Sequence, residues 1–426
     1  MFSSGSVYRL STLTIAFIVG LCCSQVLAQS PVASHELSDV QKVGKAIFMD
    51  EALSIRQNEA CAACHAPESG WTGPISMVNA HGAVYQGSIP GRFGNRKPPS
   101  AAYATLSPIL YLNDQGDWTG GNFWDGRATG ARLGNPAADQ AQGPFLNPAE
   151  MALPDSACVV YRVCTGPYSK QFQKVMGADA CAINWPGIVE SVCQAEGMRV
   201  ALSPQDRNTS DLTYNKIALA IAAFEDSPQV NAFTSKFDYY LKGKARLTPL
   251  EKQGYALFQG KAKCSNCHLS DGQKPLFTDY TYDNLGVPRN LENPVYKQNP
   301  DFIDVGLGGF LQGSGLPPTV YESNLGKEKV PTLRNVDKRP YPWFVKDFGH
   351  NGYFKSLAEI VHFYNTRDVL PACPPGSAGE GVTCWPLPEY SLNVNHEELG
   401  NLGLTPQEEQ AIVAFLETLS DGYPGR

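Results

Sequence analysis

The chain has no surplus of positive charge: 34 Lys and Arg stand against 41 Asp and Glu in 426 residues. No basic footprint is offered to nucleic acid, which is not expected as a partner. Beyond residue 28 no uninterrupted apolar run approaches the ~18 residues of a membrane span. No stable span is therefore expected in the mature chain. Strand–helix–strand alternation, the mark of a parallel sheet, is missing too. Finally, no methionine follows Met198; the six are Met1, Met49, Met77, Met151, Met176 and Met198.

Export and oxidation are what the remaining composition suggests. Arg9 is the only charge before residue 29, Leu10 to Cys23 is a short apolar run, and Val26-Leu27-Ala28 ends in a small-residue cleavage pattern. Residues 1–28 are expected to be a cleaved signal peptide, and the periplasm the destination. Of twelve cysteines, Cys22 and Cys23 fall in that leader. Six more form short-range couples, Cys158 with Cys164, Cys181 with Cys193 and Cys373 with Cys384. An exported chain favours disulfides among them, and proximity suggests those three pairs.

One helical unit is written twice. Lys42-Val43-Gly44-Lys45-Ala46-Ile47-Phe48 precedes Cys61-Ala62-Ala63-Cys64-His65, and Lys252-Gln253-Gly254-Tyr255-Ala256-Leu257-Phe258 precedes Cys264-Ser265-Asn266-Cys267-His268. Each copy opens on a helix-start signal, Ser38 with Gln41 and Thr248-Pro249 with Glu251. Helical periodicity over Tyr214 to Phe224 and after Thr405 closes each half, with Pro228 to Leu247 as a junction. The 32 Pro and 40 Gly imply long loops wrapped around few helices. We expect a mostly α fold of two cytochrome-c-like domains, 29–240 and 241–426, each with one covalent haem.

C-x-x-C-H is the attachment pattern for c-type haem. Two thiols on one tight turn reach the two vinyl groups, and the following His, here His65 and His268, ligates the iron. Zinc would want the two pairs closer together or more His nearby. A redox dithiol would not explain a His after the second Cys in both copies. The second iron cannot find a methionine within its own half, so its other ligand comes from His350, His362, His396 or a tyrosine.

Beyond the haem motifs, the chain contains Phe123-Trp124-Asp125-Gly126-Arg127, Gln140-Ala141, Gly143-Pro144 and Asn147-Pro148-Ala149-Glu150-Met151. It also contains Val330-Pro331-Thr332-Leu333-Arg334-Asn335, His350-Asn351-Gly352 and a helical stretch from Ser356 to Asn365. In these residues it resembles the bacterial di-haem cytochrome c peroxidase family, including its MauG-like branch, which oxidises protein side chains. The resemblance implies that the haem on His65 meets hydrogen peroxide, with Glu150 and Gln140 as the distal pair. Heterolysis of an O–O bond needs a group that takes a proton from one oxygen and returns it to the other, which suits a carboxylate. Tyr364 falls where family peroxidases carry an axial Met and the MauG-like branch a Tyr. Trp124 lies in the segment expected between the haems, as relay or as packing. The tryptophan that MauG-like enzymes place before the second motif is absent; Ala262 stands there. His81 follows His65 at the spacing of a removable distal ligand, but reads better as a solvent-facing loop residue. The family also holds one Ca²⁺, for which Asn95 matches the side-chain ligand and carbonyls near Arg339 and Tyr341 the others.

Three functions follow. The first is reduction of hydrogen peroxide to water with electrons from a small cytochrome or cupredoxin. The second is peroxide-dependent oxidation of Trp or Tyr on a partner protein. The third is plain electron transfer, against which Glu150 and Gln140 argue, because a carrier needs no acid–base group over its iron.

Overall fold

The computed structural model describes residues 36–425 together with Met1. The expected leader, with Cys22 and Cys23, otherwise lies outside the described residues. Nine helices carry the architecture. They are α1 (Asp39–Phe48), α2 (Pro136–Leu146), α3 (Ser156–Thr165), α4 (Ser169–Met176), α5 (Pro204–Glu225), α6 (Lys236–Leu241), α7 (Pro249–Gln259), α8 (Leu357–Thr366) and α9 (Pro406–Glu417). The paired strands named among the described residues are two short antiparallel ribbons, Tyr111–Leu112 with Trp118–Thr119 and Tyr282–Asp283 with Glu328–Lys329. The rest of the described residues form further short helices, the longest at Gly306–Gly313, with turns and irregular chain.

The capping signals act as the sequence implied. Ser38 and Gln41, Thr248 and Glu251, and Thr405 and Glu408 each form a reciprocal box that satisfies two of the orphan donors at a helix start. Two elements differ from expectation. Helix α5 begins at Pro204, capped by Ser203, well before Tyr214. The stretch 228–247 is not merely a junction, since α6 forms within it on a Ser235–Asp238 box and buries Phe237.

The duplication is visible as a repeated helix crossing. A Cβ on Gly44 would overlap the Ala220 carbonyl of α5, and one on Gly254 would overlap the Ala411 carbonyl of α9. Glycine lets the backbones touch, and a phenylalanine pair seals each crossing: Phe48 with Phe224 at 5.5 Å and Phe258 with Phe415 at 5.2 Å between ring centroids. The apolar residues gather in two clusters, one built on α1, α3 and α5, the other on α6, α7, α8 and α9. Gly44→Ala or Gly254→Ala should push the paired helices apart and cost about 1–3 kcal/mol, seen as a lower Tm.

The disulfides correct two of the three expected pairs. Cys158 bonds Cys193 and Cys164 bonds Cys181, while Cys373 bonds Cys384 as expected. Cys158 and Cys164 share helix α3, where six residues rise by about 9 Å. That is beyond the reach of a disulfide. The nested pairs instead tie α3 to the chain before α5. Non-reducing peptide mapping should recover both, and removing either should cost about 2–4 kcal/mol.

Candidate active site

Cys61 to Cys64 form one helical turn, and Cys264 to Asn266 a 3₁₀ turn. All four motif cysteines are free of disulfides. Burial pushes the Cys61 and Cys264 thiols up to about 12, so in the chain alone they stay protonated. His65 directs Nδ1 at the Trp71 carbonyl (3.2 Å) and His268 directs Nδ1 at the Phe277 carbonyl (2.8 Å). Because a carbonyl only accepts, Nδ1 is the donor in both rings and Nε2 is left with its lone pair. Burial lowers both imidazoles, His268 to about 4, which keeps that lone pair free of a proton. A cavity of about 290 Å³ opens beside the second motif, lined by Cys264, Cys267, His268 and apolar residues such as Leu402 and Ile412. Thiols, a neutral imidazole nitrogen and an apolar hollow fit a covalently held haem.

Glu150 lies in the loop after α2. Asn147 Nδ2 donates to its Oε1 at 2.6 Å, and its backbone carbonyl accepts from Ser88 N–H at 2.8 Å. Burial raises its pKa, while the charge of Arg127 and the Asn147 bond draw it back. Its charge acts in turn on Cys61 and Cys64, which sets it beside the first motif. Arg127 is held in place by stacking on Phe123, 3.8 Å from the ring centre, and by a 2.7 Å bond to Asp125. Gln140, on α2, lines the cavity with Trp124, whereas Glu150 is not among the lining residues. The cavity beside the second motif thus takes in Gln140 but not Glu150.

Four residues were open as ligands on the second iron, and their surroundings separate them. Tyr364, on α8, lines the cavity with both motif cysteines, and burial pushes its phenol far up. His362, two residues earlier, turns away and bonds Glu409 at 3.0 Å. His396 is largely exposed and bonds Asp368 at 2.9 Å. His350 also lines the cavity, packed edge-on against Trp124 with ring centroids 6.5 Å apart. Trp124 Nε1 donates to the Lys97 carbonyl at 3.0 Å.

His81 has a side chain 58% exposed and meets Glu292 at 3.1 Å. The Asn95 carbonyl accepts from Asn293 at 2.7 Å. Sequence reasoning missed Glu59, two residues before the first motif. Cys64 Sγ donates to its Oε1 at 3.5 Å, and burial above all raises it to about 7, with Glu150 adding to the rise. A glutamate at that spacing carries no recognisable signal.

The model of the di-haem cytochrome c peroxidase family matches residues 38–246. Methylamine utilization protein MauG of Paracoccus denitrificans is 32% identical over 387 residues, 89% of this chain and 88% of that protein. Cytochrome c551 peroxidase of Nitrosomonas europaea is 28% identical over 329 residues, 76% of this chain and 72% of the other. Among solved structures, the diheme peroxidase BthA of Burkholderia thailandensis superposes with a TM-score of 0.70 at 28% identity, covering 91% of this chain and 87% of its own. The chain belongs to the di-haem cytochrome c peroxidase family and is an oxidoreductase. Membership implies two c-type haems. No helix among the described residues is long and apolar enough to cross a membrane.

Proposed function

We propose that the chain is a periplasmic di-haem peroxidase that reduces hydrogen peroxide to water with electrons from a small redox protein. Glu150 carries this reading: a part-buried carboxyl beside the first thiol pair, raised by burial and restrained by Arg127 and Asn147. Residues 29–240 form the unit around the first haem, held by Cys61 and Cys64 with His65 as ligand. Residues 241–426 form the second, held by Cys264 and Cys267 with His268 and Tyr364 as ligands. Haem iron supplies the redox-active Lewis acid at which peroxide is cleaved.

The protein's own part is proton handling and order. Glu150, in its carboxylate form, takes a proton from one peroxide oxygen and returns it to the other, so that the second leaves as water. Gln140 hydrogen-bonds the peroxide or a pocket water. Trp124, fixed by its bond to Lys97, relays electrons between the two halves. Two electrons and two protons per peroxide complete the balance. One Ca²⁺ belongs with Asn95, and the leader at 1–28 directs export.

A second reading, a MauG-like oxidase acting on Trp or Tyr of a partner protein, is favoured by one observation. Tyr364, not a methionine, lines the cavity beside the second motif. A phenolate stabilises ferric iron and disfavours a high-potential entry point for donor electrons. Stopped-flow oxidation of a reduced small cytochrome under peroxide separates the two. Two donors oxidised per peroxide at steady state is the expected result. A donor left reduced, while a co-expressed partner gains oxidised Trp or Tyr, would transfer the assignment to the second reading.

A further inference from the structure

A group of buried charges that peroxide chemistry does not use adjoins the cavity. Arg96 lies at its centre. Its guanidinium holds Asp304 through two bonds of 2.6 Å and Asp125 through one of 2.7 Å, with Glu328 3.7 Å away. Glu389 completes a set of four carboxylates. Arg127 reaches Asp125 at 2.7 Å and Arg289 stands 3.8 Å from Glu389, both from the half-exposed rim. Three guanidinium groups thus face four carboxylates, and one negative charge is left over.

The carboxyl left without a guanidinium in bonding contact is Glu328. Its side chain is 9% exposed, and neither carboxylate oxygen has a hydrogen-bond partner. Glu389 Oε2 and His350 Nε2, equally buried, lack partners as well. Tyr296 OH donates to the other Glu389 oxygen at 2.8 Å, so Oε2 alone is open. Two open atoms face each other, His350 Nε2 and Glu389 Oε2 at 3.9 Å, and Asp304 Oδ2, which accepts from Arg96 Nε, is 4.0 Å from His350 Nε2. One ligand atom each from Asp304, Glu328 and His350 lies within 4.8 Å of the others.

A buried acceptor without a donor is costly, and a buried carboxylate without a counter-charge more so. A small cation among these atoms removes both defects. An ion about 2.1 Å from each ligand atom holds its ligands up to about 4.2 Å apart, close to the spacings found here. Calcium binds longer and takes an all-oxygen shell, whereas an imidazole among carboxylates suits a first-row divalent metal. We propose that Asp304, Glu328 and His350, with Glu389 behind them, form a binding site for a first-row divalent cation of the Mn²⁺, Fe²⁺ or Zn²⁺ type. The ligands come from four separate stretches of chain, Glu328 from a short strand and the others from loops, and His350 carries the contact with Trp124. The bound ion fixes the indole's surroundings as well as giving the open oxygens of Glu328 and Glu389 a partner.

The test uses the purified holoprotein in excess Ca²⁺, so that a calcium site at Asn95 is already filled. Elemental analysis beside a haem count should find close to one equivalent of Mn, Zn or non-haem Fe. After chelation, a Mn²⁺ titration followed by EPR should restore one tight equivalent and raise Tm. Glu328→Gln and His350→Gln should each weaken that binding at least tenfold. The proposal is overturned if the protein carries haem iron alone and takes up Mn²⁺ no better than Glu328→Gln does. In that case Glu328 is protonated, and a buried carboxylic acid band absent from the Glu328→Gln infrared spectrum would report it. Should His350→Gln fail to fold, the anomalous signal of Zn²⁺ in wild-type crystals decides. A peak within bonding distance of Glu328 supports the site, and a peak elsewhere or none refutes it.

Discussion

Replacing Glu150 by Gln should slow peroxide cleavage at least 100-fold, at the low end of what a positioned proton-transfer group contributes. Glutamine keeps the shape and the contact with Asn147 but can neither take nor return the proton. The pH profile adds a signature that loss of packing would not produce. Burial raises Glu150, so its carboxylate form is lost as pH falls through a value above that of an ordinary glutamate. The acid limb of kcat/KM for peroxide should therefore lie above the usual carboxylate range and vanish in Glu150→Gln. Stability should move the other way. A carboxyl raised by burial is more costly to ionise in the folded chain, and the stability it contributes is lost as pH rises through the raised value. Glu150→Gln should thus not lower Tm at neutral pH. Undiminished turnover in this variant would remove Glu150 from the mechanism.

Replacing Tyr364 by Met should raise the potential of the second haem by on the order of 100 mV or more, given the range over which axial ligands tune haem iron. A phenolate is a hard anion that favours the ferric state, whereas a thioether favours the ferrous one. In the protein without iron, burial holds the Tyr364 phenol protonated, so ligation must include loss of that proton to solvent. Reduction should accordingly become proton-coupled in the native protein and lose that dependence in Tyr364→Met. His362→Ala is the matched control, since His362 is engaged by Glu409 and should leave the potential almost unchanged. Spectroelectrochemical titration of both variants reads the outcome directly. An unchanged potential in Tyr364→Met would return the search to His350.

Local patterns survived into three dimensions where the physics is local. The capping boxes at Ser38, Thr248 and Thr405 depend on neighbours three residues away, and each formed. The helix around Tyr364 was expected from the family resemblance, and Ser356 caps it. The doubled Gly–x–x–x–Phe pattern, Gly44 with Phe48 and Gly254 with Phe258, was legible as repetition but not as a crossing. Its meaning depends on Ala220 and Ala411, far along the chain. Disulfide partners failed because proximity in sequence ignores helix rise, which carries Cys158 and Cys164 apart on α3. The group around Arg96 was not legible as a group, because Asp304, Glu328, His350 and Glu389 come from separate stretches of chain that only the fold assembles.

The glycine crossings have a consequence for biogenesis. Each half is locked by a helix that comes far later in the chain than its first one, so neither half can close until that segment has arrived. During that interval the attachment cysteines are accessible to the maturation machinery, and equally to wrong partners among Cys158, Cys164, Cys181 and Cys193. Correct assembly is then a race between thioether formation and oxidation, run before the last helix shuts the door.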